Sequence, residues 1–202
     1  MDRIIDPILI VEDVRHVREM LEITLKFKGY DVVTAADGTE ALRSLAGMKP
    51  ALIITDILMP NMDGFSLVYQ IRRLPTMRDV PVIFLSATYT QEEDFEFAQK
   101  LGADRYLKKP YDVDDLLLTV DTMVRSEKNE VAPLAEAEFN TRHAERLQQK
   151  LSHKTELISR MRRLLSSLPV EHQAQFEALL RAEVQERELV AAELAALKNR
   201  ME

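Results

Sequence analysis

The sequence contains no cysteine and no tryptophan among its 202 residues. Without cysteine, disulfide bonds and thiolate chemistry are excluded, and a reducing compartment is the simplest expectation. No apolar run reaches the roughly 18 residues that a membrane-spanning helix needs. The N-terminus, MDRIIDPILIVED, is acidic and lacks a signal-peptide pattern. We therefore expect a cytoplasmic protein that does not insert into a membrane.

Basic residues are also fewer than acidic residues. The chain has 27 basic and 34 acidic residues, which gives a net charge of −7. Binding to nucleic acid phosphates needs clustered lysine and arginine, so nucleic acid is not an expected partner. An apolar content of 46% with 30% charged residues is typical of a folded protein with a substantial core.

Glycine is absent from the last 76 residues, which contain only two of the eight prolines. All five glycines and the other six prolines lie before residue 127. This shift in composition predicts two different architectures: a first domain over residues 1–126, a linker over 127–135, and a helical region over 136–202. Pro133 favours a joint between the two parts.

The first domain alternates short apolar runs with helical patterns. Runs rich in branched residues predict strands at 8–11, 31–35, 51–55, 81–86 and 105–109. Apolar residues spaced by three or four predict helices at 14–28, 38–47, 64–74, 91–101 and 112–126. This alternation predicts an α/β fold, with a five-stranded parallel sheet covered by helices on both faces.

Polar residues follow or end four of these strands. Glu12 and Asp13 follow the first, Asp56 ends the third, Ser86 ends the fourth and Lys109 ends the fifth. Ligands of open parallel sheets bind at the carboxyl ends of the strands, so we expect these groups to converge at one edge. Three carboxylates suit Mg²⁺, and a lysine beside them can hold a phosphate-like anion.

The segment over residues 5–126 resembles the receiver domain of two-component response regulators, of the chemotaxis type. The resemblance rests on the motifs LIVEDV, TDILMPNMDG, FLSAT and GADRYLKKPYD. It implies a flavodoxin-like, doubly wound sheet and a phosphoprotein in a phosphorelay. The expected donor is a sensor histidine kinase or a phosphotransfer protein.

The same resemblance assigns roles to individual residues. Asp56 is implied as the phosphoacceptor, with Lys109 and Ser86 contacting the phosphoryl group. Glu12, Asp13, Asp56 and the backbone carbonyl of Leu58 are implied as Mg²⁺ ligands. Ser86 and Tyr106 are implied as the switch pair that responds to phosphorylation.

The helical region has an apolar heptad pattern on each side of Pro169. The first helix places apolar residues along one seam, with Lys154 at one of its positions; the apolar members are Leu147, Leu151, Ile158, Met161, Leu165 and Leu168. The second continues with Phe176, Leu180, Val184, Val190, Leu194, Leu197 and Met201. A helical hairpin follows, and two copies forming a four-helix bundle would make the protein a homodimer. The region is too short for a separate catalytic domain, so we expect output through protein contact with another copy or a partner.

An alternative function concerns His153. The stretch KLSHKTELISRMRRLL places a Ser-His pair on a long helix, which resembles the phosphoacceptor helix of histidine kinase dimerisation domains. In that alternative, the tail is a phosphotransfer element that relays phosphate through His153. Lys154 departs from the kinase pattern, which commonly has an acid there. His143 and His172 are interpreted as solvated histidines on a charged helix face.

Overall fold

The computed structural model describes residues 6–87, 92–126, 129–166 and 168–201. The chain divides into two compact units, residues 1–135 and residues 136–202. The first unit contains an α/β sheet and the second contains two long helices.

The first unit alternates strands and helices in the predicted order. Its elements are β1 (Ile8–Val11), α1 (Arg15–Phe27), β2 (Val32–Ala35), α2 (Gly38–Leu45), β3 (Leu52–Asp56), α3 (Gly64–Arg73), a 3-10 turn (Pro75–Met77), β4 (Val82–Ser86), α4 (Glu92–Lys100), β5 (Arg105–Lys108) and α5 (Val113–Arg125). The five strands are parallel and lie in the order β2-β1-β3-β4-β5. The predicted doubly wound, flavodoxin-like fold is confirmed, and each boundary lies within one or two residues of its predicted position.

The central strands are buried on both faces, as their apolar sequences predict. Every residue of β1 and β4 is buried, as are the first four residues of β3. One layer of the core combines alternate strand residues with the apolar faces of α1 and α5; its buried members are Ile8, Ile10, Leu21, Leu25, Leu52, Ile54, Ile83, Leu85, Leu116, Val120 and Met123. Burial on two sides holds the strands in register and therefore keeps their carboxyl ends level.

The chain continues after α5 along the first unit. The backbone N–H of Val131 donates to the carbonyl oxygen of Arg78 at 3.0 Å. The Val131 side chain packs against Gly102, which follows α4 with a φ of +81°. Beside them, the buried Arg72 guanidinium donates to the carbonyl oxygens of Val80 at 2.8 Å and Gly102 at 2.7 Å. The segment around Val131 is thereby fixed near the start of β4, before the chain enters the second unit.

The second unit is a helical hairpin formed by α6 (Glu136–Leu165) and α7 (Val170–Met201). Lys154 Nζ donates to the carboxylates of Glu183 at 2.9 Å and Glu186 at 2.5 Å. These residues lie at similar separations from the turn on its two sides, so α7 folds back antiparallel to α6. The turn between them contains Pro169, at the predicted break. Because α6 ends at Leu165, Leu168 lies outside the helix to which the seam pattern assigned it.

The predicted seam is observed in part. Leu147 and Ile158 are buried on α6, as are Val190, Leu194 and Leu197 on α7, whereas Met201 is exposed. Lys154 occupies a buried seam position, as its spacing indicated.

The interpretation of His143 as a solvated residue is wrong. His143 is completely buried, and its ring lies 5.1 Å from that of Phe139. The physical reason is spacing, because Phe139, His143 and Leu147 follow one another at intervals of four and share one face of α6. His172 is exposed, as expected. Among the residues described, no helix combines the length and the apolar character that crossing a membrane requires.

Candidate functional site

Strand register brings the predicted polar residues to one edge of the sheet. Val11 pairs with Thr55, and Asp56 with Leu85, at the ends of β1, β3 and β4. Ser86 at the end of β4 pairs with Lys108 of β5. The acidic pair after β1, the aspartate that ends β3, the serine that ends β4 and the lysine after β5 are therefore level with one another.

Lys109 joins two of the carboxylates. Its Nζ donates to Asp56 Oδ2 at 2.7 Å and to Glu12 Oε2 at 2.6 Å. The side chains of Lys109, Asp56 and Glu12 are only 17%, 13% and 1% exposed, so solvent screens these contacts weakly. Burial alone lowers the pKa of Lys109, but the charges of Asp56 and Glu12 outweigh it and hold the pKa above its ordinary value. The lysine is therefore a cation at physiological pH.

The three carboxylates form a cluster with more negative charge than Lys109 can balance. Glu12, Asp13 and Asp56 each offer an oxygen, and these atoms lie within 4.8 Å of one another. Burial, followed by the charge of Asp56, raises the pKa of both Glu12 and Asp13. Such repulsion is relieved when a cation binds, and a set of hard oxygen donors fits Mg²⁺. The carbonyl oxygen of Leu58, in the loop two residues after Asp56, stays a predicted ligand.

The loop after β3 fixes the orientation of the Asp56 side chain. The backbone N–H of Ile57 donates to Asp56 Oδ1 at 2.6 Å. Farther along, the N–H of Gly64 donates to the carbonyl oxygen of Ile57 at 2.7 Å, and Asp63 caps α3 by accepting from the N–H of Ser66. The loop thus folds back on the end of β3, and both Asp56 oxygens have defined partners.

Ser86 and Tyr106 are in contact beside this cluster. Ser86 is buried and hydrogen-bonded to the Tyr106 side chain, and its carbonyl oxygen accepts from the N–H of Lys109 at 2.9 Å. The centroid of the Tyr106 ring lies 4.3 Å from that of Phe95 and 6.2 Å from that of Phe84. Burial raises the pKa of the Tyr106 hydroxyl. The predicted switch pair is therefore linked directly, whereas its response to phosphorylation stays a prediction.

Arg18 belongs to this site and was missed by the sequence analysis. Its Nη1 donates to the carbonyl oxygen of Glu12 and, at 3.2 Å, to that of Asp13. The guanidinium therefore holds the backbone from which both acidic side chains project. The only indication of this role in the sequence is the position of Arg18 on α1, one turn beyond Val14. Spacing alone does not show that the arginine side chain turns back toward the end of a strand.

His153, the alternative phosphoacceptor, lies on α6 in the second unit. Its side chain is exposed, one position before the buried Lys154. His153 therefore lies off the buried face of α6.

Comparison with known proteins identifies the first unit. The family model described as the response regulator receiver domain matches residues 8–121, which is more than half of the chain. The chain belongs to this family. Among curated relatives, the response regulator MprA of Mycobacterium tuberculosis is 38% identical over 125 residues, covering 62% of this chain and 53% of MprA. The chain spans about half the length of the curated relatives it matches.

Solved structures of receiver domains agree with the fold of the first unit. The chemotaxis protein CheY4 of Vibrio cholerae is 34% identical with a TM-score of 0.56, covering 59% of this chain and 98% of CheY4. The receiver domain of a sensor histidine kinase from Pseudomonas aeruginosa is 33% identical with a TM-score of 0.56. The match covers 60% of this chain and 99% of that receiver domain. That structure is described with a magnesium ion coordinated in its active-site cleft. The resemblance to response regulators is therefore confirmed for the receiver domain.

Proposed function

We propose that the chain is a response regulator that accepts a phosphoryl group on Asp56 and acts through its helical tail. The expected donor is the phosphohistidine of a sensor histidine kinase or a phosphotransfer protein. The single observation that supports this most is the placement of Asp56 between Lys109, at 2.7 Å, and the carboxylates of Glu12 and Asp13. A partly buried carboxylate with a fixed cation on one side and a cation-binding cluster on the other suits phosphoryl transfer.

The residues of the site have separate tasks in this reaction. An oxygen of Asp56 attacks phosphorus, the bond between phosphorus and the donor's imidazole nitrogen breaks, and the imidazole leaves. Lys109 neutralises negative charge on the phosphoryl oxygens, and Ser86 offers them a hydroxyl donor. Glu12, Asp13, Asp56 and the Leu58 carbonyl would hold Mg²⁺, which supplies further charge neutralisation. The receiver would promote its own phosphorylation and dephosphorylation.

The tail is proposed to act by contact with a second copy of the chain. Leu164 near the end of α6 is 54% exposed, and Leu179 on α7 is 57% exposed. A two-helix hairpin buries little apolar surface by itself, and a second hairpin would cover such residues in a four-helix bundle. We propose a homodimer whose geometry or assembly changes when Asp56 is phosphorylated.

Phosphorylation is tested with an acyl phosphate donor carrying labelled phosphorus, in the presence of Mg²⁺. We expect a base-labile label on the wild type and on Asp31→Asn, whose carboxylate lies before β2, and none on Asp56→Asn. A wild type that takes no label from this donor or from any histidine kinase would contradict the proposal. A base-stable label that disappears in His153→Ala would instead support the phosphotransfer alternative.

Dimerisation is tested by light scattering of the full chain, with Mg²⁺ alone and with beryllofluoride as a phosphoryl mimic. A dimer in both conditions indicates a constitutive bundle, and a dimer only with the mimic makes assembly the switch. The variant Leu164→Glu should reduce the dimer, whereas Glu156→Gln, an exposed change on the same helix, should not. Monomers in both conditions would contradict the dimer.

A further inference from the structure

A groove on the helical hairpin is lined by arginine side chains and hydroxyl groups. Its guanidinium groups belong to Arg162 and Arg163 of α6 and to Arg187 of α7. Thr155, Ser159 and Ser166 supply the hydroxyls, and the buried Ile158 is its apolar member. We call this feature the arginine groove. Its volume is about 560 Å³, within the range of small-molecule sites.

The positive charge of the arginine groove is not balanced within its lining. No carboxylate is among its lining residues in the described part of the chain. Arg163 Nη1 donates to the Ser159 hydroxyl at 3.0 Å, a neutral partner. Arg187 Nη2 is 3.8 Å from Glu188, beyond hydrogen-bond distance, and Arg187 Nε is buried with no hydrogen-bond partner among the described residues.

Neighbouring cations on the same helix differ in this respect. Arg160 pairs with Glu156 at 2.5 Å, and Lys154 pairs with Glu183 and Glu186. Glu156, Glu183 and Glu186 are therefore engaged with cations outside the groove lining. Glu188 is the acidic residue that approaches the lining, at 3.8 Å from Arg187 Nη2. The guanidinium groups of the arginine groove keep donors available for an external anion.

The chemistry of the lining favours phosphate groups. The fork of donors on a guanidinium matches two oxygens of a phosphate, and serine and threonine hydroxyls add further donors. From Thr155 to Ser166 the groove follows α6 for roughly 16 Å, at about 1.5 Å per residue. Arginines on two helices along that length can contact more than one phosphate, while Ile158 offers apolar contact to an organic group.

We propose that the arginine groove binds an organic polyphosphate of the size of a nucleoside diphosphate or triphosphate. The groove's volume of about 560 Å³ and its short length along α6 fit such a molecule better than an extended acidic peptide, which would need a longer surface. This site lies wholly in the second unit, and the proposal does not depend on phosphorylation of Asp56.

The proposal is tested by calorimetric titration of the full-length chain with ATP, and separately with inorganic pyrophosphate. Both titrations are done with a chelator, because without a divalent cation the acidic edge of the receiver domain repels phosphate. We expect saturable binding of ATP that weakens as salt rises. Arg187→Gln and Arg162→Gln should each weaken it by about tenfold, the loss expected when a charge-assisted hydrogen bond is removed.

Arg160→Gln is the matched control, because it removes one positive charge from the same helix outside the groove. It should leave ATP binding within about twofold of the wild type if the groove is specific. Arg162→Lys should bind ATP with an affinity between those of the wild type and Arg162→Gln, because lysine keeps the positive charge and lacks the forked donors of a guanidinium. Helix content by circular dichroism checks that each variant is folded.

Three results would overturn the proposal. The first is no saturable binding of ATP at millimolar concentration. The second is an equal loss in Arg160→Gln, which would mean general attraction to the helix charge. The third is tighter binding of a glutamate-rich peptide than of ATP, with the peptide losing affinity in the same arginine variants. That result would make the groove a contact surface for a protein.

Discussion

Gly64 lies directly against the backbone of Asp56. A Cβ atom at Gly64 would stand 2.2 Å from the carbonyl oxygen of Asp56 and 2.9 Å from Cα of Ile57. Real Cβ atoms do not approach backbone atoms this closely, so a side chain at position 64 would require the loop after β3 to move. The start of α3 and the backbone of Asp56 can approach only because residue 64 is glycine.

Replacing Gly64 by alanine should therefore impair the site. We expect Gly64→Ala to displace Asp56 relative to Lys109 and to slow labelling by an acyl phosphate donor by at least about tenfold, since small misplacements of reacting groups are costly. Gly47→Ala is the control, because a Cβ there meets nothing within 4 Å. Equal labelling rates for the two variants would show that the loop adapts without cost.

Arg18 is expected to position the acidic pair rather than to act by its charge. Removing a nearby cation should, by electrostatics alone, strengthen the binding of Mg²⁺ to carboxylates. Loss of the hydrogen bonds to the Glu12 and Asp13 carbonyls should have the opposite effect, because the two carboxylates are then held less firmly. We expect Arg18→Gln to weaken Mg²⁺ binding several-fold in a calorimetric titration. This is less than the roughly 10- to 100-fold typical of lost outer-shell support, because removing the positive charge acts in the opposite direction.

The control for this measurement is Arg15→Gln, whose exposed guanidinium pairs with Glu19 on the same helix. It should leave Mg²⁺ affinity unchanged. Tighter Mg²⁺ binding by Arg18→Gln would mean that the charge of Arg18 outweighs its hydrogen bonds, and the positioning role would be rejected.

The sequence allows the fold and the principal site to be predicted for one reason. Parallel strands with buried, branched residues end at a common edge, so Asp56, Ser86 and Lys109 could be placed together from the sequence alone. Contacts that depend on side-chain direction could not be predicted. Arg18 turns back toward β1, and Lys154 meets Glu183 and Glu186 only through the register of two helices, which heptad spacing does not determine.

Gly102 should be needed for the docking of the segment around Val131. Gly29 and Gly102 both have positive φ, +87° and +81°, so alanine at either should cost about 1–2 kcal/mol of unfolding free energy. At Gly102 a Cβ would also stand 2.2 Å from Val131 Cγ1, whereas at Gly29 it meets nothing within 4 Å. We expect Gly102→Ala to be the more destabilising in urea denaturation.

A second substitution separates the two effects at Gly102. In a Val131→Ala background the 2.2 Å approach to Cγ1 is removed, whereas those to the Cβ of residue 131 at 3.0 Å and to Arg72 Nε at 3.1 Å remain. Gly102→Ala should then cost less than in the wild type but still more than Gly29→Ala. If Gly102→Ala costs the same with and without Val131, the packing of this segment against Gly102 contributes nothing to stability.

Lys150 on α6 gives the tail a pH-dependent stability. Burial, and next the charge of Lys154, lowers the pKa of Lys150 to about 8, whereas an unfolded lysine titrates near about 10.4. Below pH 8 the residue is protonated in both states, and the folded tail bears the cost of a disfavoured charge. Between these two pKa values the unfolded chain binds more protons than the folded one, so the contribution of Lys150 to stability rises with pH.

We therefore expect Lys150→Met to stabilise the protein at pH 7 by about 1–2 kcal/mol, a range reduced for partial solvent screening. The advantage over the wild type should shrink steadily as the pH is raised to 10, because the wild-type lysine then loses its charge. Urea denaturation followed by circular dichroism gives both values, with the exposed Lys198→Met as the matched control. An advantage that is the same at pH 7 and pH 10 would assign it to apolar packing of the methionine, because only a charge effect disappears when the lysine becomes neutral.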